Sequence, residues 1–208
     1  MQYPPFLSTV KPIEKSVHNL PHWNQCATCA FVTFRLADSL PADRLAQWES
    51  EREEWLKCHP KPWTEAVAEE YGREFGTRLD KWLDAGRGSC VLAERENREI
   101  VWNAILHFDG RRYDVYSFVV MPNHVHVLFC PFAENPLSCI LHTWKSYTAK
   151  LINRRMGKTG GVWQHESWDR LVRDARHFAR VARYISRNPG NSGIPVYVKP
   201  GYEDLLRV

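Results

Sequence analysis

The sequence predicts an α+β domain, an antiparallel sheet with helices packed on one face and a helical insertion beside it. Three observations carry the prediction. Short β-rich segments alternate with longer stretches of helical periodicity. The turn Met121-Pro122-Asn123 joins two of those β segments directly, which only antiparallel strands allow. And 208 residues, 44% of them hydrophobic, are enough for one domain with a real core.

The elements follow in order. Residues 1–25 are rich in Pro, His and polar groups and are expected to form an irregular N-terminal arm. Ala30 to Leu36 is rich in β-formers and alternates in part, so it is assigned a strand. Residues 40–88 form the insertion. One helix opens after Ser39-Leu-Pro-Ala-Asp and runs to about Lys57, and a second spans Thr64 to about Ala85, punctuated by Gly72 and Gly76. Leu92 to Phe108 has apolar residues at helical spacing. Strands at Tyr113–Val120 and His124–Cys130 flank the tight turn, a helix covers Pro136–Met156, and Trp163–Val172 is extended. Asp174 to Asn188 is a helix stopped by Pro189-Gly190, and residues 190–208 are a tail. Without the insertion the order is β-α-β-β-α-β plus a final helix, the ferredoxin-like pattern.

Charge and cysteine usage narrow the setting. The net charge of +4 is uneven: Leu141–Val208 carries 13 Lys/Arg against 5 Asp/Glu, and Met1–Ile140 carries 15 against 19. A basic half suggests a polyanionic partner, although a solvated helix surface accounts for it equally well. No apolar run approaches the roughly 20 residues of a membrane helix, and the N-terminus lacks the pattern of a secretory signal. A cytoplasmic protein with reduced cysteines is therefore expected. Cys26-Ala-Thr-Cys29, with His18 and His22 upstream, has zinc-ligand types without zinc-finger spacing, and Cys29 runs into a strand.

The sharpest motif is His124-Val-His126. Side chains alternate along a strand, so both imidazoles face one side of the sheet and can share a divalent metal. Two ordinary surface histidines are the plain alternative. On the last helix, Phe178, Val181 and Ile185 form an apolar stripe, and Tyr184 and Asn188 stack one turn apart at its edge. A hydroxyl nucleophile and an amide oxygen at that spacing can both meet a metal held by the histidines. Without the histidines, Tyr184 is a core-edge aromatic and Asn188 a helix cap. On the preceding basic helix, Lys145, Lys150, Arg154 and Arg155 are interleaved with Trp144 and Tyr147, a pattern that suits either a surface tracking and stacking on a nucleic-acid strand or a helix with core aromatics and solvated cations. Arg180, Arg183 and Arg187 are candidate phosphate contacts, and Arg173 either contacts a phosphate too or pairs with Asp169.

The ordered set of segments resembles the REP-associated tyrosine transposases, Y1 enzymes of the HUH type related to the IS200/IS605 transposases. The resemblance lies in Phe31-Val-Thr-Phe-Arg-Leu36, Val120-Met-Pro-Asn-His-Val-His-Val-Leu128, Lys145-Ser-Tyr-Thr-Ala, Trp163-Gln164, Asp169-Arg-Leu-Val-Arg173 and Arg183-Tyr-Ile-Ser-Arg-Asn-Pro189. It implies the HUH endonuclease fold and a metal-dependent single-strand DNA endonuclease or transposase. His124, His126 and Asn188 would hold Mg²⁺ or Mn²⁺, and Tyr184 would attack a DNA phosphate to leave a 5′-phosphotyrosine. The implied partner is single-stranded or hairpin DNA of the REP type, and the implied oligomeric state leans to a monomer. Two rivals come from other classes. One is a zinc-dependent hydrolase with a third ligand such as His165, and the other is a non-catalytic hairpin-binding module.

Overall fold

The computed structural model describes residues 4–8, 10, 14–17, 21–60 and 63–206. Its centre is a five-stranded antiparallel sheet built from β3 (Ala30–Arg35), β4 (Tyr113–Val120), β5 (His124–Pro131), β6 (Trp168–Leu171) and β7 (Val196–Val198), in the order β6-β3-β5-β4-β7. A separate hairpin of β1 (Glu14–Val17) and β2 (Pro21–Asn24) lies in the N-terminal arm. The helices are α1 (Ala42–Cys58), α2 (Glu65–Tyr71), α3 (Thr77–Asp84), α4 (Arg95–Leu106), α5 (Leu137–Met156) and α6 (Ala175–Arg187).

β5 sits in the middle of the sheet because every one of its residues is buried and both edges are paired. Its alternation sorts two cores. Val125, Val127 and Phe129 join Val32 and Phe34 on one face, covered by Val101 and Ile105 of α4 and Leu137, Ile140 and Trp144 of α5. Leu128 and Cys130 join Phe31 and Val119 on the other, covered by Phe178, Val181, Ala182 and Ile185 of α6. A bulge between Val115 and Ser117 shifts the phase of β4, turning Tyr116 to the α6 face and Phe118 to the α4–α5 face.

The expected ferredoxin-like unit is present, and its two helices α4 and α5 share one face. The final helix departs from the one-face expectation. Its apolar stripe has only the opposite face left to cover. Two further expectations need correcting. The arm expected to be irregular contains the β1–β2 hairpin. The tail contributes β7, whose Val196–Val198 pairs with Ser117–Val119 and closes the sheet's β4 edge. All three strands are too short for a periodicity signal to mark them.

The insertion is α1, α2, a wide π-helical turn at Gly72–Gly76, and α3. It has its own small core of Leu40, Trp48, Phe75, Leu79 and Leu83. That core docks on the sheet through Trp168 of β6, whose ring lies 5.8 Å from Tyr71 and 5.6 Å from Trp48. The insertion therefore rests beside the α6 face, where the histidines point.

Candidate active site

His124 and His126 are fully buried on the α6 face of β5, opposite Arg35 and Thr33 of β3. Their orientation is fixed from behind. His124 Nδ1 lies 2.8 Å from Asn123 Oδ1, and His126 Nδ1 lies 2.8 Å from Thr33 Oγ1. The Asn123 amide cannot be reversed, because its Nδ2 donates to the carbonyls of Leu83 and Arg87, both at 3.0 Å. Its oxygen only accepts, so His124 carries its proton on Nδ1 and turns a lone pair outward at Nε2.

The two Nε2 atoms are 3.1 Å apart. Burial lowers the His124 pKa to about 3. Burial first, and then the neighbouring His124, holds His126 well below its ordinary value. Both rings are neutral at physiological pH, the form that binds metal. Adjacent ligands about 2.0–2.2 Å from one ion and at a right angle lie about 3 Å apart, so the observed separation suits a shared cation.

α6 brings the rest. Asp174 caps its N-terminus by accepting from the His177 backbone N–H at 2.7 Å, and the Asn188 N–H at its end donates to the Tyr184 carbonyl at 3.0 Å. Tyr184 and Asn188 thus stay in helical register, side by side. The Tyr184 hydroxyl is 3.3 Å from His126 Nε2, and its ring packs edge-on against Phe31 and His126. Asn188 Nδ2 donates to Asp84 Oδ1 at 3.3 Å and reaches the Tyr184 hydroxyl at 3.5 Å.

Asn188 Oδ1 is buried and has no hydrogen-bond partner among the described residues. A buried orphan acceptor costs about 1–3 kcal/mol, and a cation beside it removes the cost. With two neutral imidazoles nearby, this nitrogen–oxygen set fits a divalent metal such as Mn²⁺ or Mg²⁺.

Neither Asp84 nor Asn123 is a candidate site residue in the sequence. Asp84, the last residue of α3, is exposed on its outer side, and partial desolvation raises its carboxyl pKa. Its Oδ1 is 3.8 Å from His124 Nε2. Since His124 is neutral, this is a polar contact and not an ion pair. No motif marks Asp84, because only the docking of the insertion brings it to the site. Asn123 lies within the Met121-Pro122-Asn123 turn, whose turn role hides its second task.

The sequence-designated DNA contacts divide. Arg173 and Arg180 line a cavity of about 400 Å³ that also reaches Tyr184. Arg183 and Arg187 are on α6 outside that lining. Lys150 and Arg154 are exposed on α5, across the sheet from the histidines.

Three of the α5 expectations are corrected. Lys145 is tied down, donating to the carbonyls of Gln164, His165 and Glu166 at 3.1, 2.9 and 3.3 Å, and burial lowers its pKa to about 8. Arg155 bridges α5 to α4 through Glu94 at 2.5 Å and Glu96 at 3.2 Å. Trp144 is core, 2% exposed, and its indole N–H donates to the Tyr113 hydroxyl at 2.9 Å. Trp144→Ala is therefore expected to cost about 3–5 kcal/mol in a denaturant titration, as a cavity mutation. A change under about 1 kcal/mol would return Trp144 to the surface role.

Tyr147, the other tyrosine on a basic helix, is 53% exposed on α5, on the α4–α5 side of the sheet. His165 is exposed beside Glu166, with Nδ1 3.1 Å from Oε1. Among the described residues no three His, Cys, Asp or Glu side chains gather to hold a metal, so a hydrolase site with His165 as third ligand is not formed. Cys29 is buried and Cys26 exposed, while His18 lies outside the described residues. No helix among the described residues is long and apolar enough to cross a membrane.

Comparison with known proteins bears on the same residues. A family model described as "Transposase IS200 like" matches residues 94–188. The match begins at α4 and ends on Asn188, so it includes both histidines and Tyr184 and leaves out the insertion. A curated "Putative REP-associated tyrosine transposase" of Haemophilus influenzae is 25% identical over 105 residues, 46% of this chain and 55% of that protein. The chain thus spans about half the length of that relative. A solved structure described as a REP-associated tyrosine transposase bound to a REP hairpin aligns at TM-score 0.47 and 16% identity, covering 81% of this chain and 70% of that one.

Proposed function

We propose that this chain, whose residues 94–188 match the family model described as "Transposase IS200 like", is a metal-dependent single-strand DNA endonuclease and transposase. In this reading it cuts and rejoins DNA at REP-type hairpins through a 5′-phosphotyrosine. The observation that carries the reading is that the Tyr184 hydroxyl lies 3.3 Å from His126 Nε2 and 3.5 Å from Asn188 Nδ2, with the other atom of that amide, Oδ1, buried and without a hydrogen-bond partner among the described residues. Hairpin DNA as partner rests on the resemblance to REP-associated relatives.

His124 Nε2, His126 Nε2 and Asn188 Oδ1 would hold Mg²⁺ or Mn²⁺. When bound, the ion supplies Lewis acidity to the non-bridging oxygens of the scissile phosphate. The chain does the rest. Tyr184 is presented by a capped helix whose apolar stripe is locked into the sheet, so its hydroxyl is positioned before DNA arrives. In the reaction the Tyr184 oxygen forms a bond to phosphorus as the bond from phosphorus to the 3′ oxygen breaks. The phenolic proton is lost to solvent and the departing 3′ oxygen gains one. The phosphodiester is exchanged and not hydrolysed, which leaves the DNA able to rejoin when a 3′-hydroxyl attacks the adduct. A tyrosine of ordinary pKa about 10 needs positive charge nearby to ionise, and Arg173 and Arg180 share its cavity.

The test is a denaturing gel after incubation with single-stranded hairpin DNA and Mn²⁺. A protein–DNA adduct is expected, and chelation with EDTA is expected to abolish it. Tight binding with no adduct across several hairpins would favour the non-catalytic module.

A further inference from the structure

The insertion does more than flank the sheet. Between its wide turn and α6 lies the cavity of about 400 Å³ that reaches Tyr184. Arg73 lines it from the insertion, Trp168 and Arg170 from β6, and Arg173 and Arg180 from β6's exit and α6. No carboxylate is among the described residues that line it. We propose that this cleft is the channel for one strand of DNA, with Arg73 of the insertion and Arg170 of β6 holding its phosphates beside Tyr184. The proposal rests on the reading of Tyr184 as a strand-cleaving nucleophile and extends it to a part of the chain outside the family match.

Three features besides the arginine count support the assignment. The first is the glycine pair. Neither Gly72 nor Gly76 needs a left-handed backbone; Gly76 has φ −69°. A side chain at Gly76 would collide with the Arg170 guanidinium, and a Cβ at Gly72 would lie 3.2 Å from Arg170 Nη1. Glycine weakens a helix, and here it makes room for a guanidinium against the helix backbone, with a π-helical turn that widens the groove.

The second is the field in the cleft. His177, on its lining, is held neutral with a pKa near 4, by burial first and then by Arg173, Arg170 and Arg180, which outweigh the opposing Asp174. The third is shape. The volume is that of a small-ligand pocket, room for a short piece of one strand and not for an enclosed duplex. Trp168, half-buried on the lining, is held by Tyr71 and carries the Arg170 guanidinium over its ring at 5.5 Å, which fixes that cation in the cleft.

The test uses the full chain and fluorescence anisotropy. The probes are a labelled single strand of about a dozen nucleotides and the duplex of the same sequence, each from about 50 to 200 mM salt. Arg73 is exposed, so Arg73→Ala leaves the fold intact. It is expected to weaken single-strand binding about 3–10-fold and to reduce the salt slope by about 0.7. Arg73→Lys is expected to restore most of the slope. Gly76→Ala, helix-compatible in backbone, is expected to weaken binding similarly by displacing the Arg170 head while the unfolding midpoint holds or rises.

An unchanged slope in Arg73→Ala, or equal affinity for the duplex, overturns the channel. The two readings fail separately. Arg73-dependent strand binding by a wild-type chain that forms no adduct keeps the channel and removes the nuclease. A wild-type rate of adduct formation by Arg73→Ala, with an unaltered slope, does the reverse.

Discussion

Tyr184→Phe is expected to form no covalent adduct with hairpin DNA, a loss of at least about 10³-fold in cleavage, while binding the same DNA as well as the wild type does. The size of the effect follows from what the hydroxyl does. It is the attacking atom, and no other hydroxyl described here lies beside both the histidine pair and Asn188. The selectivity follows from what the ring does. Its edge-on contacts with Phe31 and His126 are made by carbon atoms that phenylalanine keeps. The hydroxyl's own contacts, 3.3 Å to His126 and 3.5 Å from Asn188, are long and contribute little to stability. The unfolding midpoint should therefore move by no more than a surface substitution would move it, about 0.5 kcal/mol either way. The check is a paired measurement of anisotropy for binding and a denaturing gel for the adduct. Wild-type cleavage by Tyr184→Phe would remove this residue from the mechanism.

His126→Ala is expected to have the second-largest effect, a loss of metal-dependent cleavage on the order of 10²–10³-fold together with the loss of Mn²⁺ binding in calorimetry. His126 is nearest to the nucleophile and one of two nitrogens facing each other at 3.1 Å. Its removal leaves His124 and Asn188, which are too few ligands to hold an ion that prefers several. A graded companion separates ligation from packing. Thr33→Val keeps the side-chain shape and deletes only the hydroxyl behind His126 Nδ1. Such outer partners typically contribute about 10–100-fold in metal affinity, so Thr33→Val should fall between wild type and His126→Ala. Equal Mn²⁺ affinity in all three proteins would show that the histidines are structural.

The residues that form the chemical centre were legible where one element's own period settles which side a group faces. His124 and His126 are two apart on a strand, and Tyr184 and Asn188 four apart on a helix, so their faces follow from geometry alone. What joins the elements was not legible. Asp84 and Asn123 reach the site because the insertion's end is hydrogen-bonded to the β4–β5 turn, a contact spanning some 40 residues. The docking of the insertion depends on Trp168, whose partners Tyr71 and Trp48 lie about 100 residues earlier.

The α5 errors have one physical cause. A basic, aromatic helix looks the same in sequence whether its cations meet phosphates or meet neighbouring carboxylates and carbonyls. Arg155 found Glu94 and Glu96, Lys145 found a loop of carbonyls, and Trp144 turned inward to the Tyr113 hydroxyl. Arg173 and Arg180 differ because they line a cleft shared with Arg73 and Arg170, with Asp174 the nearby carboxylate that His177 and Arg173 feel. A cluster in which cations outnumber carboxylates around one cleft is the feature that tells a phosphate surface from a solvated one, and it appears only after folding.

The most direct measurement is mass-spectrometric mapping of the residue that carries DNA. The adduct formed with Mn²⁺ would be digested with protease and nuclease, and the modified peptide sequenced. The expected product is a nucleotide joined through its 5′-phosphate to Tyr184. A nucleotide on Tyr147, across the sheet from the histidines, or on any other residue would contradict the account.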